Sequence, residues 1–233
     1  MLKERQKSIL DAVIQEYIDT AFPVASKQIV DKFRFPYSSA TVRNELLSLD
    51  EAGFLEQPHT SAGRIPTEKG YRFYIEEYFD SAELLRNSER AVLSEIFRKK
   101  TEEEFLKLLA RAVSEISRGF TVAGLYDNDM FYKTGISEIF DEPEFEDKYL
   151  LKEFSGLADL IDEEIRNMFE PGDFKKPKAF VGKENPIREA RNYGMVVSSV
   201  IIPQKKETVI AILGPKRMDY RKNISLFEYI NEL

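Results

Sequence analysis

The sequence predicts an α+β protein: an N-terminal winged helix-turn-helix, a helical linker, and an α+β domain with an antiparallel sheet. Three observations carry this. Apolar residues recur at helical spacing through about the first fifty positions, with cap and stop residues between the runs. Two extended runs flanking a turn-rich PHTSAG follow at Phe54–Thr67, the pattern of a hairpin. Beyond Phe120 the chain becomes β-branched and aromatic in short runs parted by turn signals.

Ile9, Val13, Ile14, Tyr17 and Ile18 give a first helix over about residues 3–19, and Pro23 marks the break after it. Ser26 is placed to cap a short second helix bearing Ile29, Val30 and Phe33, which Pro36 stops. Ser38 or Ser39 caps a third helix whose Val42, Leu46 and Leu49 face the core, and Gly53 ends it as a left-handed cap. The hairpin follows as a wing, with Pro58 shaping its turn and Gly63 permitting a tight return. Thr67 then caps a fourth helix with Tyr71, Phe73, Tyr74 and Tyr78 as its aromatic body. These elements make a domain over residues 1–80.

Residues 81–119 read as two linker helices joined at Arg98–Thr101, where Thr101 and Glu104 form a capping-box pattern. The second carries an apolar stripe of Phe105, Leu108, Leu109, Ala112, Val113 and Ile116. Two readings of the stripe stay open, packing within the monomer and a dimer seam. Over residues 120–233, FTVAGLY and MFYKTG flank Asp127-Asn128-Asp129 as a hairpin, and residues 147–169 form a helix. Ala179–Val181 is a strand, Met195–Ile202 and Thr208–Leu213 form a second hairpin, and a helix runs over about 219–232. Arg217 and Asp219, at the junction before it, are expected to pair locally.

Composition excludes several classes of function. There is no cysteine, so no disulfide or thiolate metal site, and the single histidine, His59, leaves little material for a histidine metal site or a catalytic triad. No phosphate-binding glycine loop is present. The 41 acidic residues form clusters such as EPEFED without implying catalysis. No cofactor is implied and no enzyme is expected. With neither a long apolar run nor a secretion signal visible, the expectation is a soluble, cytoplasmic protein. The net charge of -7 argues weakly against nucleic acid, but residues 26–72 hold seven basic side chains against six acidic ones. A DNA-facing patch therefore requires segregation of charge onto one face.

The third helix supplies such a face. With Val42, Leu46 and Leu49 inward, 100° steps put Ala40, Arg43, Asn44, Leu47 and Glu51 outward. Asn can bond adenine, and Arg guanine, through two atoms of the base edge. Ser38, Ser39 and Thr41 at the helix start suit phosphate oxygens. His59, Thr60 and Ser61 at the wing tip are hydrogen-bonding groups, and Arg64 is a cation for the minor groove or backbone. Lys27, Lys69 and Arg72 are further backbone-contact candidates. Ordinary solvated surface is the competing reading for each. A winged-helix scaffold for protein assembly, which the acidic total favours, is the competing function.

PVASKQIV, SSATVRNEL and EQPHTSAGRIPTEKGYRFY resemble the heat-inducible transcription repressor family HrcA, as do FYKTGISEIFDEPEF, AFVGKEN and ILGPKRMDY. Together they cover about residues 1–80 and 130–225. The resemblance implies a homodimeric winged-helix repressor acting on a double-stranded inverted-repeat operator, CIRCE, upstream of chaperone operons. It also implies a GAF-like C-terminal region with an inserted dimerisation domain, and the chaperonin GroEL as modulator. Where family members run on for about a domain's length, this chain has only RGFTVAGLYDNDM before FYKTG. That looks like a compact variant without the insert and with part of the sheet removed, its dimer geometry and regulon open.

Overall fold

Ile9, Leu10, Val13 and Ile14 share one face of α1 (Glu4–Thr20) and are buried almost completely, which fixes this helix as the floor of an N-terminal core. Ala21, in the left-handed region at φ 58°, stops it and donates its N–H to the Tyr17 carbonyl at 2.9 Å. In α2 (Ser26–Phe33) Ile29 points inward. Ser26 is its first helical residue and not its cap; Ala25 holds that position, and the Ser26 hydroxyl meets the Ser39 hydroxyl at 3.2 Å. α3 (Ser39–Glu51) is capped by Ser38, whose Oγ accepts from the Thr41 N–H at 3.1 Å.

Gly53, at φ 75°, ends α3 as expected. Its N–H bonds the Asp50 carbonyl and that of Phe54 bonds the Leu49 carbonyl, a Schellman closure. β1 (Leu55–Glu56) and β2 (Ile65–Pro66) then pair antiparallel, Leu55 opposite Pro66 and Glu56 opposite Ile65. The sequence reading missed a third participant: Val24 bridges Arg64 through two reciprocal backbone bonds of 2.9 Å. Thr67 caps α4 (Glu68–Glu77) by accepting from the Gly70 N–H at 3.1 Å.

This computed structural model describes residues 2–60, 62–77, 84–98, 101–125, 130–203 and 206–233, apart from the side chain of Met168. Within it Met1–Asp80 and Ser81–Leu233 form two compact units. Tyr78, Ser61 and the Asp127-Asn128-Asp129 turn lie outside the described residues. Among those residues no helix is long and apolar enough to cross a membrane.

The second unit begins with α5 (Asn87–Ile96) and α6 (Glu102–Ser117). Thr101 sits at the cap position of α6 without a side-chain cap bond. The apolar stripe of α6, with Phe105, Leu109 and Val113 fully buried, packs on the sheet of its own unit. The two helices expected as a linker are thus part of that unit's body. The sheet orders β4 (Phe131–Thr134), β3 (Phe120–Leu125), β7 (Glu207–Pro215), β6 (Tyr193–Ile201) and β5 (Lys178–Val181), every neighbouring pair antiparallel.

Alternation along the strands divides the residues between two faces. On one, Val122, Met195, Val197, Ala211 and Leu213 meet Phe154, Leu157, Ile161 and Ile165 of α8 (Lys148–Met168). The other takes α6 and α9 (Tyr220–Glu232), the latter capped by Asp219. The chain order of two helices, two strands, two helices, three strands and a last helix is an α+β, GAF-like arrangement. The short helix α7 (Ile136–Phe140), entered through Gly135 at φ 90°, was not legible from periodicity. The sheet runs unbroken through its five strands.

Candidate nucleic-acid interface

The orientation of α3 follows from what it buries. Val42, Leu46 and Leu49 are inward, and so is Glu45, at 7% exposure. A buried carboxylate needs a partner, and Arg5 of α1 supplies it, its guanidinium also lying 5.6 Å from the Tyr37 ring centre. The remaining face carries Ala40, Arg43, Asn44, Leu47, Ser48 and Glu51, all exposed. The outward set expected from 100° steps is present, and Ser48 extends it.

Ion pairing answers the question of charge. In the first unit Glu16, buried, is held by Lys32 and by Gln28, each at 2.5 Å. Asp19 also meets Lys32, at 3.0 Å. Glu4 and Glu77 pair with Lys7, and Glu45 with Arg5. Lys27, Arg34 and Arg43 are exposed and carry no ion pair among the described residues. Acids of this unit are neutralised by cations at its helix contacts, while these three cations stay available to solvent. Glu51, Glu56 and Asp31 are exposed too and temper the local field.

Lys27 lies at the start of α2, beside the start of α3, because Ser26 and Ser39 touch. The two helix beginnings therefore gather Lys27, Ser38, Ser39 and Thr41 in one neighbourhood. The Ser38 hydroxyl also contacts that of Thr41 at 2.9 Å. Arg43 follows Ser39 by one turn, on the outer face.

At the wing tip His59 and Thr60 are exposed. Gln57, which sequence reasoning passed over, shapes the tip by donating to the carbonyls of Thr60 at 3.0 Å and Ala62 at 2.9 Å. Two expected DNA contacts are engaged within the unit instead, Arg64 withdrawn from solvent and Lys69 exposed. Arg64 is 11% exposed at its side chain and its Nε lies 2.8 Å from the Asp50 carboxylate. Lys69 donates to the Ala52 carbonyl at 2.7 Å, with its ammonium 4.4 Å from the Phe54 ring centre. A cation at the carbonyl end of α3 is well placed against the helix dipole. Arg72 is likewise no free cation.

The signatures of the second unit are occupied structurally. Arg217, buried, forks onto Glu144 at 2.6 and 3.0 Å and also binds Glu142. Burial works against its charge, but the Glu144 and Glu142 carboxylates prevail and raise its pKa. Asn185 donates to the carbonyls of Gly182, Ala190 and Tyr193 at 3.2, 3.0 and 3.0 Å, fixing the turn after β5. Burial pushes the Tyr193 hydroxyl well above its usual range, helped by Glu153 and Tyr149 nearby. Among the described residues no group of His, Cys, Asp and Glu has the arrangement of a metal site.

A helix-turn-helix with an attached β-hairpin, joined to a GAF-like α+β unit, defines a two-unit class in which the first unit presents an exposed polar helix face. A family model described as HrcA protein C terminal domain matches residues 69–224, well over half of the chain. The chain belongs to the HrcA family. Heat-inducible transcription repressor HrcA of Chloroflexus aurantiacus is 42% identical over 123 residues, covering 52% of this chain and 33% of that protein. The match thus spans about a third of that relative's length. The protein of the same name from Thermoanaerobacter pseudethanolicus is 27% identical over an alignment of 331 positions, covering 96% of this chain and 93% of the relative. That alignment is longer than this 233-residue chain. A solved structure titled as a hypothetical protein at 2.2 Å resolution shares the fold, with a TM-score of 0.76, 17% identity, and coverage of 100% of this chain and 97% of its own.

Proposed function

We propose that this chain is a sequence-specific, DNA-binding repressor of heat-shock genes, acting in the cytoplasm as a homodimer on an inverted-repeat operator of the CIRCE type. One observation carries it: the outer face of α3 holds Arg43 and Asn44 exposed, with Arg43 in no ion pair among the described residues, while the acids around the helix contacts are neutralised from within. Asn44 and Arg43 read base edges in the major groove, each two-atom contact being worth about 1–3 kcal/mol of discrimination. Lys27, Ser38, Ser39 and Thr41 seat the helix start on phosphate. His59, Thr60 and Ser61 meet the flanking DNA from the wing. The relatives' shared name, heat-inducible transcription repressor, supports the regulon. Modulation by a GroEL-type chaperonin follows from the family resemblance alone.

The test is a mobility-shift titration of the full chain on a CIRCE-type inverted repeat, against a scrambled duplex of the same length. We expect selective binding by the wild type. Arg43→Ala should lose about 1–3 kcal/mol and relax the preference at one base position of each half-site. An Arg43→Ala chain that binds as tightly and as selectively as the wild type refutes the reading.

A further inference from the structure

Arg64 and Asp50 occupy positions whose energetics make sense only together. Asp50 lies in the last turn of α3, where the helix dipole disfavours a negative charge. The cation that compensates it is Arg64, whose Nε lies 2.8 Å from the carboxylate as an ion pair without a hydrogen bond, at the loop-side end of β2 and largely withdrawn from solvent. The backbone of Arg64 is clamped as well, by the two 2.9 Å bonds to Val24. Beside it, a Cβ on Gly63 would lie 2.4 Å from the Val24 carbonyl oxygen, so the wing approaches the chain before α2 as closely as glycine permits. At the opposite end of β2 Thr67 donates its hydroxyl to the Gly53 carbonyl at 2.7 Å. The hairpin itself has two residues per strand, too few for rigidity of its own. Its direction must therefore come from the ties at the two ends of β2.

We infer that Asp50 and Arg64 are positioning residues, a strut that sets the angle of the wing to the recognition helix and so brings His59 and Thr60 to the DNA that flanks the bases met by Arg43 and Asn44. This rests on the DNA-binding reading above. It replaces a direct role for the Arg64 guanidinium in the minor groove, since that group is engaged with Asp50.

The experiment is hydroxyl-radical footprinting with equilibrium binding of the full chain on a CIRCE-type inverted repeat, at several salt concentrations. Asp50→Ala and Arg64→Ala should each lose protection in the flanks and weaken binding about tenfold, while protection within the half-sites persists. The double variant should be no weaker than either single one, and Arg64→Lys should keep most of the flank protection. The salt slope should stay unchanged throughout. If Arg64 touched phosphate directly, Arg64→Ala alone would flatten that slope by about one per protomer. Should Asp50→Ala unfold the first unit, the near-isosteric Asp50→Asn carries the same expectation. Unchanged flank protection in the Asp50 variants, or a slope change confined to Arg64→Ala, overturns the strut. A wild-type chain that binds no inverted repeat overturns the DNA-binding reading and the strut with it.

Discussion

Glu89 is a carboxylate at 5% exposure on α5, joined to two cations and an amide. It accepts from Arg86 Nη2 at 2.8 Å, from the Arg86 N–H at 2.7 Å and from Lys222 Nζ at 3.1 Å. Lys222, on α9, also donates to the Ile116 carbonyl of α6 at 2.9 Å, so the Glu89–Lys222 pair ties three helices. Burial alone would raise the Glu89 pKa; the Arg86 side chain and amide, then Lys222, overcome it and hold the group at about 2. A carboxyl depressed from 4.5 stabilises the fold fully above pH 4.5 and loses that contribution as the pH falls toward 2. Glu89→Gln should therefore destabilise the protein by about 2–3 kcal/mol at neutral pH, with the gap closing between pH 4.5 and 2. Urea melts across that range check it, and a gap that stays constant from neutral pH down to 2 would defeat the assignment. None of this was legible in the sequence, where Glu89 is one of 41 acids and Lys222 is 133 residues away. Gly63 was legible as a necessary glycine, but its constraint is the closeness of Val24 rather than a left-handed backbone. Gly63→Ala should cost the first unit about 1–3 kcal/mol by forcing Val24 away, read as a lowered midpoint in thermal melts.

Among the elements, legibility followed length and the locality of the determining contact. α1, α3, α6 and α8 bury a stripe at helical spacing, which the sequence displays. The Ser38 cap and the Gly53 closure act within a few residues and were equally plain. α7 spans only five residues, too short for a period, and the Val24 bridge is one residue pairing across the fold. The partners of Arg217 are 73 and 75 residues distant, so local pairing with Asp219 was the natural sequence reading. The fork onto Glu144 joins the turn before α9 to the segment between α7 and α8, which brings FYKTGISEIFDEPEF and ILGPKRMDY together. Of the site, the α3 face was readable because it is the complement of an apolar stripe. The engagement of Arg64 and Lys69 was not, because nothing local names Asp50 or the Ala52 carbonyl as their partners. Arg217→Met should leave two carboxylates facing each other without a cation, costing about 3–5 kcal/mol. An unfolding free energy from urea melts within about 0.5 kcal/mol of wild type would show that the fork contributes little.

For the whole molecule, the net charge of -7 and a role on DNA are compatible only if the attraction is local. Lys27, Arg34 and Arg43 are cations of the helix-turn-helix that have no ion pair among the described residues, against exposed Asp31, Glu51 and Glu56 nearby. Each phosphate neutralised contributes roughly -0.9 to the slope of log affinity against log salt. With Lys27 and Arg34 on phosphate and Arg43 on a base or a phosphate, a two-fold dimer should show a slope of about -4 to -5 on its operator, modest for a repressor. The excess negative charge elsewhere repels DNA at longer range, so binding to unrelated duplex should be weak at physiological salt, and selectivity should rest on contacts rather than on attraction. Lys27→Ala tests the local account. It should flatten the slope by about one per protomer and weaken the operator and a scrambled duplex by the same factor, because a phosphate contact carries no sequence information. Titrations of both duplexes over a salt series measure this directly. A Lys27→Ala chain with an unchanged slope would move the phosphate contact away from the start of α2, and one that lost selectivity would place Lys27 on a base.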